Sequence, residues 1–242
     1  MMLTRSLELF APHHQELRRR LIKVFLTIIG CTAIAYTLSE HIVRIFLAPL
    51  FQASPLINKL VYTNLPEAFL AYIKLSLLVG LVTSFPVILY QIWMFIAPGL
   101  KSSEKKFTTT VVFWATLLFA AGAAFALLAV LPKMLHYFMS YASPNLEPLP
   151  RFGDYLTFVA RTMLAFGLSF EIPFLMVMAG KAGFVQAVYF RKKRLFFYAA
   201  IVALAFLLTA GDFMATTMLA IPLFGLYEAG IFLTALFGVR MK

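Results

Sequence analysis

Apolar residues in this chain come in long runs separated by short polar stretches. The runs cover residues 21–38, 68–96, 107–135, 155–179, 195–209 and 213–237. Uninterrupted runs of about 18 residues or more are long enough to cross a hydrocarbon core as helices. The pattern predicts an all-α integral membrane protein with six transmembrane helices. One membrane domain, 1–242, would hold them all, with short segments at 1–20, 39–66, 97–106, 139–153 and 181–194 lying outside the bilayer. Pro66, Pro98, Pro132 and Pro150 sit near run ends, where a missing backbone donor is tolerated. Asn64 and Glu67 have the spacing of a helix cap and an acidic third position ahead of the second run. The fifth run stands apart. Residues 195–210 make only 16 charge-free positions, or roughly 24 Å of helix against a core of about 30 Å. Such a span must thin the bilayer, lie against protein or border water.

Composition agrees with the pattern. Of 242 residues, 62% are hydrophobic and 13% charged, too apolar a balance for a soluble domain of this size. The first run follows a basic segment and more spans come after it, so it is expected to be retained rather than cleaved as a signal peptide. The one cysteine, Cys31, lies inside the first run and reads as a small buried residue. The segment 39–66, with Pro49 and Pro55, is expected to pack as an outer cap.

The charges add orientation. Fifteen of the 21 basic residues fall in 1–23, 97–106, 181–194 and the tail, all on one side of a six-span arrangement. By the positive-inside rule that side is the cytoplasm, and both termini lie there. The net charge of +11 is thereby accounted for as a topology signal, and no nucleic-acid partner is expected. No internal repeat is visible, and the halves share no inverted Gly/Pro pattern, which argues against the usual secondary transporter.

The chain carries no catalytic motif, so an enzyme, a cofactor and a metal centre are not expected. There is no Gly-x-Ser-x-Gly and no phosphate-cradling Gly-rich loop. His13-His14-Gln15-Glu16 lacks the second histidine of a zinc protease. Gly211-Asp212 has no second aspartate within a span to share an intramembrane aspartyl site. Ionisable residues inside apolar runs are costly and point to function. Lys74 and Arg161 lie near run ends, where snorkelling explains them equally well. Glu228 has an equally good reading as the partner of a cytoplasmic-side base. Glu171, deep in the fourth run and two residues before Pro173, is the stronger candidate. On the basic face, Glu16 and Glu104 are scarce carboxylates, the acceptors an arginine-bearing guest would need. Glu16 and Arg20 also have the i, i+4 spacing of an ordinary helical ion pair.

Five motifs, in order, carry a resemblance to a known family. They are His13-x-x-Glu16-Leu17-Arg18-x-Arg20; Pro86 through Leu100 with Glu104-Lys105-Lys106; Ala165 through Pro173; Phe190-Arg191-Lys192-Lys193-Arg194; and Ala220-Ile221-Pro222-Leu223-x-x-Leu226-Tyr227-Glu228. Together they resemble the TatC family of twin-arginine protein translocases over nearly the whole chain. The resemblance implies a concave, glove-like arrangement of the six helices in the bacterial inner membrane. It implies a cytoplasmic receptor site for signal peptides with paired arginines. There Glu16 and Glu104 would receive the guest arginines, while Phe95 and Arg18 shape the patch. It implies TatA-like and TatB-like single-span partners and self-association. Folded cargo would be exported with the proton-motive force. Glu171 would engage polar groups of the partners, Asp212 and Thr216 would lie on the partner-contact edge, and Pro49 would belong to the periplasmic cap.

This sequence departs from the family at Thr209-Ala210-Gly211-Asp212, where Thr-Pro-x-Asp is common, and at Thr216, where a glutamine is common. Both changes touch the expected partner edge. A proton-coupled small-solute transporter using Glu171 and Lys74 remains the alternative reading of the residues alone.

Overall fold

In a computed structural model, the backbone is described for residues 2–53, 57, 60–96, 105–143, 148–181, 183–209 and 211–237, and side chains for the same residues except 2–14, 96 and 105–108. The architecture is all-α. The helices are α1 (Met2–Thr37), α2 (Ser39–Ala53), α3 (Leu65–Ile96), α4 (Lys105–Phe125), α5 (Leu131–Met139), α6 (Phe152–Lys181), α7 (Ala187–Lys192), α8 (Arg194–Leu208) and α9 (Phe213–Phe237). A π-helical turn, Ala126–Val130, joins α4 to α5. Pro132 follows it and cannot donate to the carbonyl one turn back; widening the preceding turn removes that conflict. The third apolar span therefore continues through its proline and ends at Met139.

Five described helical stretches, rather than the six expected, are long and apolar enough to cross a membrane: Gln15–Thr37, Leu65–Phe95, Thr109–Met139, Phe152–Lys181 and Phe213–Phe237. The expected fifth span is α8, which has only 15 residues, about 22 Å of helix. It is cut short at both ends. Lys193 caps its start, and past Thr209 the chain turns through Gly211, whose φ of 89° lies in the left-handed region that suits glycine. The Gly211 N–H donates back to the Phe206 carbonyl at 3.0 Å, closing the helix end. The segment 39–66 contains a helix, α2, and 181–194 contains the short α7.

The chain divides into two compact units, one of residues 1–42 and 72–117, the other of 43–71 and 118–242. In the first unit α1 meets α3 at Gly80. A Cβ there would lie 2.7 Å from the backbone N and Cα of Thr32, so the crossing requires glycine. Along α1 few positions of the span are buried, 6% against 50% in α6.

In the second unit α6 is the central helix. Gly122 of α4 faces it. A Cβ at Gly122 would approach the Phe166 carbonyl oxygen to 2.6 Å and the Cα of Gly167 to 3.0 Å. Phe125 of α4 packs its ring on those of Phe166 and Phe170, with centroids 5.7 and 5.6 Å away. On another side, Gly230 of α9 lets that helix reach Met176 and the backbone of Pro173. Tyr227 of α9 is almost wholly buried, stacks on Phe197 of α8 at 5.0 Å, and donates its hydroxyl to the Phe190 carbonyl at 2.9 Å.

The connections near α2 and the start of α6 are tied by polar groups. Tyr155 of α6 donates its hydroxyl to the carbonyl of Phe46 on α2 at 2.7 Å. Pro49, one turn further along α2, is the expected cap residue, and it lies beside the fully buried Leu50. Residues Val61 and Arg151 form an isolated parallel bridge. Glu67 secures it. Its carboxylate accepts the Thr63 N–H at 2.9 Å, the Asn64 N–H at 3.4 Å, the Arg151 Nη2 at 3.1 Å and the Gly153 N–H at 3.4 Å. The capping role expected of Glu67 is therefore present, and the same carboxylate also binds a segment 84 residues away. The hydrogen bond from Arg151 to Glu67, with the charges of Glu67 and Asp154, holds the guanidinium above its ordinary pKa.

Candidate functional site

In the first unit, the turns of α1 around Glu16 and Arg20 lie beside the end of α3. Helical spacing puts Glu16 and Arg20 one turn apart on α1. Their ion pair forms: the Arg20 Nε donates to Glu16 Oε1 at 3.1 Å, and Nη2 reaches the same oxygen. The free arm of the guanidinium crosses to α3, where Nη1 donates to Gln91 Oε1 at 3.4 Å. A groove of about 480 Å³ lies here, lined by Gln15, Glu16, Arg19, Arg20, Lys23, Tyr90, Gln91 and Met94. It joins one carboxylate, two amides and two aromatic or thioether walls to three cations. Such a set can grip a guanidinium by its planar fork and seat an apolar neighbour beside it.

Of the residues expected at this site, Glu16 is in the groove. Arg18 is exposed and does not line it. Phe95 follows Met94 on α3 and is half-buried, without lining the groove. Glu104 falls outside the described residues. The ion pair of Glu16 with Arg20 was expected from their spacing and is present; sequence reasoning overlooked Gln91 as a groove residue. The available signal was a lone amide, Gln91, in the last turns of an otherwise apolar span.

In the second unit, Glu171 is 6% exposed, and its Oε1 has no hydrogen-bond partner among the described residues. The side chain lies against the backbone of Phe119 on α4, a close approach that Gly122 and Gly167 permit. Ser169 beside it turns its own hydroxyl back onto the Ala165 carbonyl at 2.6 Å. A buried carboxyl with a spare oxygen costs free energy, on the order of 1–3 kcal/mol.

Asp212 and Thr216 are brought together in the turn before α9. Asp212 caps α9 by accepting the Ala215 N–H at 2.6 Å. Its carbonyl accepts the Thr216 hydroxyl at 2.5 Å and N–H at 2.9 Å. The Thr216 hydroxyl also meets that of Thr209 at 2.7 Å. These three residues thus build the turn between α8 and α9. Glu228 takes the Arg194 Nη2 and the Tyr198 hydroxyl, each at 2.5 Å, so it has a basic partner, as one reading of the sequence expected. Arg161 is exposed and lines a groove of about 280 Å³ with Asp154 and Thr209. No group of three or more His, Cys, Asp or Glu suited to a metal occurs among the described residues.

An all-helical chain with several membrane-crossing helices, a carboxylate–guanidinium groove at one end and a buried carboxyl within a span defines a multi-pass membrane protein without an evident reaction centre. Comparison with known proteins makes this specific. The family model for Sec-independent protein translocase protein (TatC) matches residues 12–222. The chain belongs to the TatC family. A Sec-independent protein translocase protein TatC from Desulforapulum autotrophicum is 35% identical over 231 residues, covering 96% of this chain and 86% of that one. The protein of the same name from Escherichia coli K12 is 33% identical over 220 residues, covering 91% and 85%. A crystal structure of the twin-arginine translocase receptor TatC superposes with a TM-score of 0.83 at 33% identity, covering 93% of this chain and 98% of that one.

Proposed function

We propose that this protein is the receptor subunit of a twin-arginine translocase, a multi-pass protein of the bacterial inner membrane. It takes in signal peptides with paired arginines so that folded cargo is exported with the proton-motive force. Family membership supports the receptor role. The observation that carries the site is that Glu16 already grips a guanidinium, the chain's own Arg20, in a groove open to a guest. A guest arginine can take the same carboxylate, with Glu104 receiving its neighbour and Phe95 and Arg18 flanking the peptide. In this reading α8 is a sixth, short crossing and the helices form the concave wall of the family. The basic segments and both termini face the cytoplasm. Pro49 belongs to the periplasmic cap.

TatA-like and TatB-like single-span subunits are the partners. Glu171, with its unfilled acceptor, offers them a polar contact within the bilayer, and the turn built by Thr209, Asp212 and Thr216 forms the neighbouring edge.

The test is binding of a labelled twin-arginine signal peptide to the detergent-purified protein, beside a twin-lysine peptide and a Glu16→Ala/Glu104→Ala variant. Arginine-dependent binding, reduced at least tenfold in the variant, is the expected result, since each lost charged hydrogen bond removes about 1.5–3 kcal/mol. Equal binding of both peptides by folded protein would rule the site out.

A further inference from the structure

A second groove, of about 780 Å³, opens in the other unit and has no part in the reading above. Much of its lining comes from α5 and the residue that follows it. Lys133, His136, Tyr137 and Ser140 recur at i, i+3, i+4 and i+7, so helical geometry puts them on one face. All four line the groove. Lys133, His136 and Ser140 are exposed and Tyr137 is half-buried. The Tyr137 hydroxyl is bonded to that of Tyr141 at 2.6 Å, and the two rings meet edge to face. Met214 and Met218 of α9, Pro132 of α5, and Gln52 and Ala53 of α2 complete the lining. The acid nearest in sequence to this wall of α9, Asp212, is engaged by the Ala215 N–H as a helix cap.

The groove combines two chemistries. Lys133, His136, Tyr137 and Ser140 offer an ammonium, an imidazole and hydroxyl groups, all able to donate to phosphate oxygens. Met214, Met218, Pro132 and Ala53 offer thioether and methylene surface, which adapts to a flexible hydrocarbon chain. The polar residues lie at the last two turns of a membrane-crossing helix that ends at Met139, the depth at which lipid headgroups sit. A snorkelling lysine alone would need no histidine and serine on its face and no apolar surface in the same groove.

We propose that this groove binds one anionic phospholipid. The phosphodiester is held by Lys133, His136 and Ser140, and an acyl chain lies along Met214, Met218, Pro132 and Ala53. With the topology proposed above, the lipid comes from the outer leaflet. The binding itself does not depend on the signal-peptide site, because none of these residues belongs to it.

The test uses the full-length protein, purified in detergent and stripped of lipid. Phosphatidylglycerol or phosphatidylcholine is added back, and bound lipid is counted by native mass spectrometry. Phosphatidylglycerol is expected to be retained in preference, at one per chain. Lys133→Gln should weaken it about fivefold, the effect of one basic side chain facing an anionic headgroup. Met218→Trp, which fills the groove and leaves the charges in place, should also displace it. His136→Gln is a second charge-side variant should Lys133→Gln not fold, as judged by circular dichroism. Equal retention of the two lipids would overturn the proposal, as would unchanged retention in the folded variants. Displacement of phosphatidylglycerol by millimolar inorganic phosphate alone would overturn it too, since the site would then recognise the ion and not the lipid. If apolar TatA-like peptide rather than lipid occupies the groove, phosphatidylglycerol will show no preference in its absence, and the assignment fails.

Discussion

Glu228 on α9 and Glu171 on α6 both interrupt apolar helices of the same unit, and their surroundings are opposite. Glu228 faces the first turns of α8. It is paired with Arg194 and Tyr198, and its side chain is 37% exposed. Glu171 is nearly sealed and keeps an oxygen without a partner. The first is a completed structural link between two helices. The second is an incomplete one, held in place because α4 and α6 approach at glycines on both sides. A carboxylate within a span thus marks a membrane-protein function only where the fold has left its acceptors unfilled.

The largest effect expected from breaking this contrast is at Gly122. Gly122→Val would drive a side chain into the Phe166 carbonyl and the backbone of Gly167, which cannot move aside as a flexible side chain would. A loss of about 1–3 kcal/mol is expected, read as a lower unfolding temperature in detergent. Wild-type stability would mean the α4–α6 crossing is plastic and does not impose the burial of Glu171.

Glu228→Gln comes next. It keeps the volume but removes the charge that Arg194 faces, for a loss of about 1–2 kcal/mol. That is less than for a sealed pair, because both side chains are more than a third exposed. The same measurement decides it: a change under the scatter of repeated melts would demote the pair to a surface contact.

Glu171→Leu should go the other way. Removing a buried acceptor without a partner stabilises the fold by up to about 1 kcal/mol, while export of a twin-arginine reporter in cells falls sharply. If stability drops and export persists, Glu171 is structural after all and the contrast is reversed.

The smallest effect belongs to Tyr198→Phe. Glu228 then keeps Arg194 and loses one neutral donor, for about 0.5–1 kcal/mol. A loss as large as that of Glu228→Gln would show that the tyrosine, and not the arginine, is the chief partner.

Much of this was legible in the sequence where the physics is local. The apolar runs announce helices because backbone groups in hydrocarbon must bond within their own segment. The pairing of Glu16 with Arg20 and the capping by Glu67 follow from spacings of four and three residues along a helix. The shortness of the fifth run was readable from its charges, and it appears as the 15-residue helix α8, which leaves five described helices long enough to cross a membrane. The helix α2 was not foreseen within 39–66, because it mixes apolar and polar residues and carries Pro49 in its interior.

The remaining features depend on residues far apart in the chain. Arg194 meets Glu228 across 34 positions, Arg151 meets Glu67 across 84, and Arg20 meets Gln91 across 71. No periodicity encodes such meetings. The sequence by itself determined which segments enter the membrane, which carry the positive charge, and which polar residues are costly enough to need a reason, because hydropathy, charge and i, i+4 spacing act within a segment. Only the tertiary structure decided that Glu228 is satisfied and Glu171 is not, and that the side of α5 carrying Lys133, His136 and Ser140 borders a groove. Those outcomes depend on where glycines such as Gly122 and Gly230 let helices close, and close packing between distant segments is not written in any one of them.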